Sequence, residues 1–148
     1  MGIINDVCVT PLKIIYGKSG DILHALKSTE NSYSSFGEAY FSTVDKMAIK
    51  GWKNHRKMLL NIIVPSGAIR FVLYDDRKES KTYGIVQEVI LSKENYQRLT
   101  IPAGIWMAFQ GLSDDVNMLL NIASIVHDPE EAENLPVQND RIPYQWIA

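Results

Sequence analysis

The sequence predicts an all-β domain that folds as a sandwich or a barrel. Its apolar residues mostly alternate with polar ones, instead of recurring with the 3.6-residue period of a helix. The apolar segments are also short and end at residues that favour turns, chiefly Gly, Pro, Asn and Asp. A chain of 148 residues suits one domain with a single core. We therefore expect one unit over residues 1–148, with a polar connection and tail from about residue 128.

The individual strands follow from these patterns, and about eight or nine are expected at the spacings of a sandwich or barrel. The clearest signal lies in residues 57–77, where two apolar runs flank Pro65-Ser66-Gly67 and predict a hairpin. Further strands are predicted in VTPLKIIY, DILHALK, EAYFSTV, TYGIVQEVILS, QRLTIPAG, WMAFQGL and NMLLNIASIV.

Helical signals are confined to one short stretch near the C-terminus. One turn is predicted after Asp128, because Pro129 suits the first helical position and acidic residues follow it near the N-terminus of the turn. The rest of residues 130–141 is expected to form an exposed polar connection before the segment IPYQW.

Composition excludes several classes of protein. The chain has 15 basic and 17 acidic residues, so it lacks the broad positive field of a nucleic-acid-binding protein. No apolar run approaches the roughly 18 to 20 residues that span a bilayer, so no membrane partner is expected. The single cysteine cannot form an internal disulfide, and the N-terminus lacks the pattern of a signal peptide. We expect a cytoplasmic protein.

Motif searches exclude further kinds of site. The histidines, His24, His55 and His127, lie on separate segments, and no HxH or CxxC spacing supplies the three or four converging ligands of a metal site. The sequence has no GxSxG elbow, no P-loop and no GxGxxG before a helix. We therefore predict neither a metal nor a bound cofactor.

The stretch KGWKNHRKM, residues 50–58, is the most unusual part of the chain. In a strand, successive side chains point to opposite faces, so this stretch would have two different faces. The first face would carry Lys53, His55 and Lys57, and the second Trp52, Asn54, Arg56 and Met58. On parity alone, the cationic face is either a solvated edge or the mouth of a barrel that binds a diphosphate or moves protons.

Other polar and aromatic residues interrupt the apolar segments. Asn61 in LLNII and Asn121 in LLNIA must find partners if they are buried, so each either bonds within the core or contacts a ligand. Trp106 and Gln110 lie in GIWMAFQG, whose aromatic residues either build the core or line a nucleotide pocket.

Several segments match one enzyme family in order. IKGWKNH is similar to an Arg-Gly-x-His strand, and GAIRFVLYDDR is similar without a gap to a Gly-Glu-Val-x-Asp-Val-x-Val-Asp-x-Arg strand. LSKENYQRLTIPAGIWMAFQGLSDD follows the pattern LS-x-x-N…IP-x-G-x-x-x-x-F-x-x-LSD, and the end of the chain resembles an acidic tail that finishes in Trp. Over residues 20–146 the chain thus resembles the dTDP-4-dehydrorhamnose 3,5-epimerase family of nucleotide-sugar enzymes.

The resemblance implies a cupin-like jelly-roll barrel that forms a homodimer and binds a nucleoside-diphosphate 4-keto-6-deoxysugar in its mouth. The family's chemistry needs no cofactor. A base removes the proton next to the C4 ketone, an acid returns one on the opposite face, and the site stabilises the charge that develops on the ketone oxygen. The resemblance therefore implies an epimerase or isomerase of bacterial surface-polysaccharide biosynthesis. The alternative is a non-catalytic cupin that binds a nucleotide sugar or carbohydrate.

The alignment suggests roles for particular residues. The family's basic histidine aligns with Lys53, and a register shift would put His55 in its place. A lysine has an ordinary pKa of about 10.4 and needs a large shift to act as a base, whereas an imidazole near 6.5 does not. The family's second histidine aligns with Met107, and its tyrosine acid aligns with Leu120. Lys53 and His55 are the predicted catalytic residues. The predicted substrate-binding residues are Lys50, Lys57, Asn61, Trp106, Gln110 and Asn121.

Overall fold

A computed structural model describes residues 2–147 of the chain. Within these residues the fold consists of β-strands and one turn of 3-10 helix, Pro129–Glu131. No helix there is long and apolar enough to cross a membrane. The strands are β1 (Cys8–Pro11), β2 (Ile14–Ile15), β3 (Ile22–Leu23), β4 (Glu38–Val44), β5 (Ile49–His55), β6 (Leu60–Ser66), β7 (Ala68–Asp75), β8 (Val86–Ser92), β9 (Gln97–Ile101), β10 (Ile105–Gly111), β11 (Asn117–Ala123) and β12 (Ala132–Leu135).

The strands form two antiparallel five-stranded sheets and a small ribbon of β2 and β3. The first sheet has the order β1-β9-β6-β11-β4, and the second has the order β12-β5-β10-β7-β8. The main core includes Leu60 and Leu119 from the first sheet and Phe71 and Leu73 from the second. From β4 to β12, every connection except the one between β7 and β8 crosses from one sheet to the other, so the architecture is a jelly roll. The predicted cupin-like fold is confirmed.

The hairpin predicted around Pro65-Ser66-Gly67 is wrong. Strand β6 pairs with β9 and β11 in the first sheet, whereas β7 pairs with β8 and β10 in the second. The chain turns a corner at Gly67, which has a φ of 74° and lies so close to Asn117 that a Cβ would be 2.4 Å from its Oδ1. Both apolar runs are mostly buried on both faces, and the sequence of such a run does not indicate which strand it pairs with.

A second cluster covers the outer face of the second sheet. It contains Trp52, Tyr74 and Trp106, and Tyr144 and Trp146 from the end of the chain pack against it. The expected polar connection over residues 130–141 is wrong in its first part, because β12 pairs with β5 there. The predicted helical turn is confirmed as the 3-10 helix, whose Asp128 side chain accepts a hydrogen bond from the Glu130 backbone N–H at 3.0 Å.

Candidate active site

Strand β5 carries the cationic residues, and its pairing with β10 is irregular. Met107 lies opposite Lys53 and Phe109 opposite Lys50, so three steps along β5 match two along β10. The extra residue is a β-bulge, which changes the alternation of side chains along the strand. Simple alternation would place Lys50 with Trp52 on the outer face. The bulge instead brings Lys50 to the same side as Lys53 and His55.

These three side chains line a cavity between the two sheets with a volume of about 210 Å³. Pockets that enclose a whole ligand usually measure roughly 300–1,000 Å³, so this one suits a sugar ring rather than a complete nucleotide sugar. Among the residues that the structure describes, those lining the cavity include no carboxylate, which leaves it cationic. The lining consists of Tyr40, Ser42, Lys50, Gly51, Lys53, His55, Leu60, Met107, Phe109 and Asn121.

The lysines differ in how they are held. The Lys50 Nζ donates a hydrogen bond to Ser42 Oγ at 2.9 Å and lies 5.9 Å from the centroid of the Phe109 ring. Lys53 is half-buried and lies beside Met107 across the strand pair. A flexible ammonium group on an apolar stem suits binding of an anionic oxygen. The cavity therefore offers a fixed cation and a second one close to His55.

His55 is paired with a buried carboxylate. Its Nδ1 bonds Glu131 Oε1, and the two side chains are 13% and 5% exposed. The other carboxylate oxygen accepts hydrogen bonds from the backbone N–H groups of Lys57 and Met58, at 3.1 and 3.2 Å. Because Glu131 accepts a hydrogen bond from Nδ1–H, the imidazole keeps the tautomer whose Nε2 lone pair is available in the cavity. This arrangement suits a general base.

The electrostatics of Glu131 agree with an ionised carboxylate. Burial raises its pKa, but the hydrogen bonds from His55 and from the backbone of Lys57 and Met58 outweigh that effect. The net pKa lies below the ordinary value. Glu131 therefore remains charged at neutral pH and keeps the imidazole in place.

The structure separates the two asparagines that share the motif LLNI. Asn121 lines the cavity, and its Oδ1 is buried without a hydrogen-bond partner in the described residues. Asn61 lies outside the cavity on β6. Its Nδ2 donates to the Ser32 carbonyl at 3.0 Å, and its Oδ1 accepts from Thr100 Oγ1 at 2.6 Å. Asn61 is thus a core hydrogen-bonding residue, and its predicted role in binding is not supported.

The different surroundings of Asn121 and Asn61 predict different effects of their substitution on the free energy of unfolding. Asn121→Leu is expected to leave the free energy of unfolding within about 1 kcal/mol of wild type, because removal of a buried carbonyl oxygen that has no partner offsets loss of the hydrogen bond from Nδ2 to Tyr40 Oη. Asn61→Leu is expected to lower it by about 2 kcal/mol, because it leaves partners of Asn61 unbonded. Urea unfolding of both variants checks the result. Equal destabilisation by the two substitutions would contradict the assignment.

Three other predicted binding residues lie away from the cavity. Lys57 follows the end of β5, where the chain bends, and its side chain is exposed. Trp106 belongs to the outer cluster and donates from Nε1 to Asp76 Oδ2 at 3.3 Å. Gln110 is fully buried and donates to the carbonyls of Met47 and Ile147. On β10 the residues that face the cavity are the intervening Met107 and Phe109, so the structure does not bring Lys57, Trp106 or Gln110 to the cavity as predicted.

Two residues of the site were given no role by the sequence prediction: Tyr40, which lines the cavity, and Glu131, which bonds His55 from behind. Glu131 is 76 positions from His55 along the chain, and no local pattern reports that contact. Tyr40 had a detectable signal, because EAYFSTV alternates and places Tyr40 on the same face as Ser42. Within residues 2–147, no group of three His, Cys, Asp or Glu side chains is placed to hold a metal ion.

A comparison with models of protein families shows to which family the chain belongs. Residues 23–148 match the model described as dTDP-4-dehydrorhamnose 3,5-epimerase. The chain belongs to this family. The predicted family is thereby confirmed, and the cavity described above lies in the interior of the family's jelly roll.

Individual relatives extend the comparison. A dTDP sugar isomerase from Desulfovibrio desulfuricans G20 has 35% sequence identity and a TM-score of 0.94, over 97% of this chain and 92% of its own. The probable low-salt glycan biosynthesis epimerase Agl13 of Haloferax volcanii is 29% identical over 95% of this chain and 88% of its own. The epimerase of Legionella pneumophila, solved in complex with dTDP-4-keto-L-rhamnose, shares the fold at 22% identity and a TM-score of 0.81, over 89% of this chain and 73% of its own.

Proposed function

We propose that the protein is a nucleotide-sugar epimerase or isomerase that acts next to the C4 ketone of a nucleoside-diphosphate 4-keto-6-deoxysugar, in surface-polysaccharide biosynthesis. The observation that carries the proposal is the His55 and Glu131 pair, which presents an oriented base to a cationic cavity. The family and its glycan-biosynthesis relative favour this function over a non-catalytic cupin. The buried carboxylate behind His55 fixes the tautomer and orientation of the imidazole, which proton abstraction requires.

In this mechanism, His55 Nε2 removes the proton from the carbon beside the ketone. The electrons of the broken C–H bond move into the carbonyl, and negative charge develops on the C4 oxygen. Lys53 is the cation beside His55 and is assigned to stabilise that oxygen. Of the two bases left open by the sequence, His55 is preferred because only its side chain is fixed by a carboxylate.

The remainder of the substrate extends from the cavity towards solvent, since the cavity holds only a sugar ring. Lys50 is exposed and lies near the edge strand β4, so we assign it to the diphosphate. The solitary cysteine is consistent with the reducing conditions of the cytoplasm, where nucleotide sugars are made, and we propose that location.

The test follows hydrogen exchange in heavy water. The wild-type protein is incubated with several dTDP-4-keto-6-deoxyhexoses, and the C3 and C5 protons are followed by NMR. Deuterium is expected to enter at one or both carbons faster than in buffer. If no substrate of this class exchanges above the buffer rate, the proposed function is wrong.

We also propose that the chain forms a homodimer through the outer face of β4 and β11. Phe41 on the edge strand β4 is 65% exposed, and Phe36 nearby is 62% exposed. Leu120 and Ile122 of β11 face the same side and help to line an apolar groove. Clustered exposed aromatic side chains are typical of association surfaces.

This assignment predicts the effect of one substitution. Phe41→Glu is expected to give a monomer, because each copy would place a charge in a symmetric apolar interface. The mass in solution is measured by light scattering after gel filtration. Ile90→Glu, on the edge strand of the other sheet, is the control and is expected to leave the dimer intact. A dimeric Phe41→Glu variant would contradict the interface.

A further inference from the structure

Tyr40 and Asn121 form a polar pair on the wall of the cavity that belongs to the first sheet. They are direct partners across β4 and β11, and Asn121 Nδ2 donates to Tyr40 Oη at 3.0 Å. The phenol oxygen accepts this bond, so its own hydrogen remains available for donation to a ligand. Asn121 is 5% exposed, and its Oδ1 has no partner among the described residues. Both groups line the same space as His55.

The residue aligned with the family's tyrosine acid does not reach this space. Leu120 is one position before Asn121, so its side chain points to the opposite face of β11 and lines the outer apolar groove with Phe36. A proton donor on the cavity side must come from another position. Tyr40 is the tyrosine in the cavity lining, and it lies on the strand beside β11.

We infer that Tyr40 is the acid that returns the proton and that Asn121 positions its hydroxyl. The inference rests on the proposed function. His55 belongs to the second sheet and Tyr40 to the first, so a sugar ring between the sheets has the base on one face and the phenol on the other. When the proton is returned to the face opposite to the one from which it was removed, the configuration at that carbon is inverted. The geometry thus assigns an epimerisation rather than a migration of the carbonyl.

The steps balance without an oxidant or a reductant. His55 takes the proton, and the C–H electron pair forms the enolate. The enolate carbon then takes the Tyr40 proton, and its electron pair forms the new C–H bond while a phenolate remains. The phenolate recovers a proton from water, and His55 releases its proton to water. The amide of Asn121 keeps its hydrogen bond to the phenol oxygen throughout and supports the transient phenolate.

The experiment compares exchange with inversion in heavy water, using dTDP-4-keto-6-deoxyglucose and NMR. In Tyr40→Phe the rate of inversion is expected to fall about 100-fold or more, because a general acid has been removed. Deuterium exchange without inversion is expected to persist, because His55 still removes a proton and returns a deuteron to the same face. Asn121→Leu, which keeps the phenol but loses its hydrogen bond, is expected to show a smaller loss of inversion. Tyr16→Phe, whose side chain is exposed outside the cavity, is the matched control.

The outcomes separate this inference from the function on which it rests. Suppose that the wild-type protein exchanges deuterium and that the inversion rate of Tyr40→Phe stays within about twofold of the wild-type rate. The assignment of Tyr40 would then be wrong, while the proposed function would stand. Loss of both exchange and inversion in a Tyr40→Phe variant that still binds dTDP would also overturn it, because Tyr40 would then be needed before protonation. Absence of exchange in the wild-type protein would overturn the proposed function and this inference with it.

Discussion

Replacing His55 with asparagine is expected to reduce proton exchange beside the ketone by about 1,000-fold, within the range that a general base contributes. Asparagine keeps a polar side chain of similar size but has no lone pair basic enough to accept a carbon-bound proton. The loss should appear in kcat, because the imidazole acts on the reacting atoms and contributes little to ground-state binding. Exchange kinetics by NMR, with dTDP affinity measured by calorimetry, separate these two quantities.

The comparison with Lys53 decides which residue is the base. Lys53→Met is expected to slow exchange by about 100-fold through loss of charge stabilisation, a smaller loss than that expected for His55→Asn. Full exchange in His55→Asn would contradict the mechanism and transfer the role of base to Lys53. Lys81, on the surface away from the cavity, supplies the control substitution Lys81→Met.

Replacing Glu131 with glutamine is expected to impair both activity and stability. The rate should fall about 10- to 100-fold, because the carboxylate that orients His55 is lost while the imidazole itself remains. The free energy of unfolding at neutral pH should fall by about 2 kcal/mol, since an amide cannot accept all the hydrogen bonds that reach Glu131. Glu133→Gln, two residues away and half-exposed, is the matched control for both measurements.

The stability effect of Glu131 should depend on pH in a defined direction. The pKa of this carboxyl is lowered in the folded protein, so its contribution is fully present above the ordinary value near 4.5 and is lost as the pH falls below it. Urea unfolding of wild type and Glu131→Gln should therefore give curves that converge on acidification from pH 7. A difference that stays constant down to pH 3 would show that the loss does not come from ionisation.

Local patterns predicted much of the strand content but not the assembly of the site. Strand β4 is found where EAYFSTV predicts it, because one face of that strand meets the cavity and the other lies outside the sandwich. The strand predicted in DILHALK shrinks to Ile22–Leu23. The pairing of β6 with β7 failed because apolar runs buried on both faces carry no information about their partners.

Half of the predicted site residues reach the cavity, and different contacts between strands decide which residues do so. The bulge in β5 changes the alternation, and it depends on pairing with β10 rather than on a visible turn signal. Trp106 and Gln110 look like pocket residues, but the end of the chain covers their face of the sheet. Glu131 reaches His55 only because β12 pairs with β5. Contacts between distant segments are set by the fold, so sequence periodicity does not reveal them.

The outer cluster on the second sheet has a consequence for optical experiments. All three tryptophans of the chain belong to it: Trp52 and Trp106 are buried in the cluster, and Trp146 lies 5.9 Å from Trp52 between ring centroids. The cavity is on the opposite face of the same strands, so a bound sugar does not touch an indole ring. Trp52 nevertheless directly precedes Lys53. A change in tryptophan fluorescence on addition of a nucleotide sugar would therefore report a rearrangement of the outer cluster, such as a displacement of β5, rather than contact between the sugar and an indole ring.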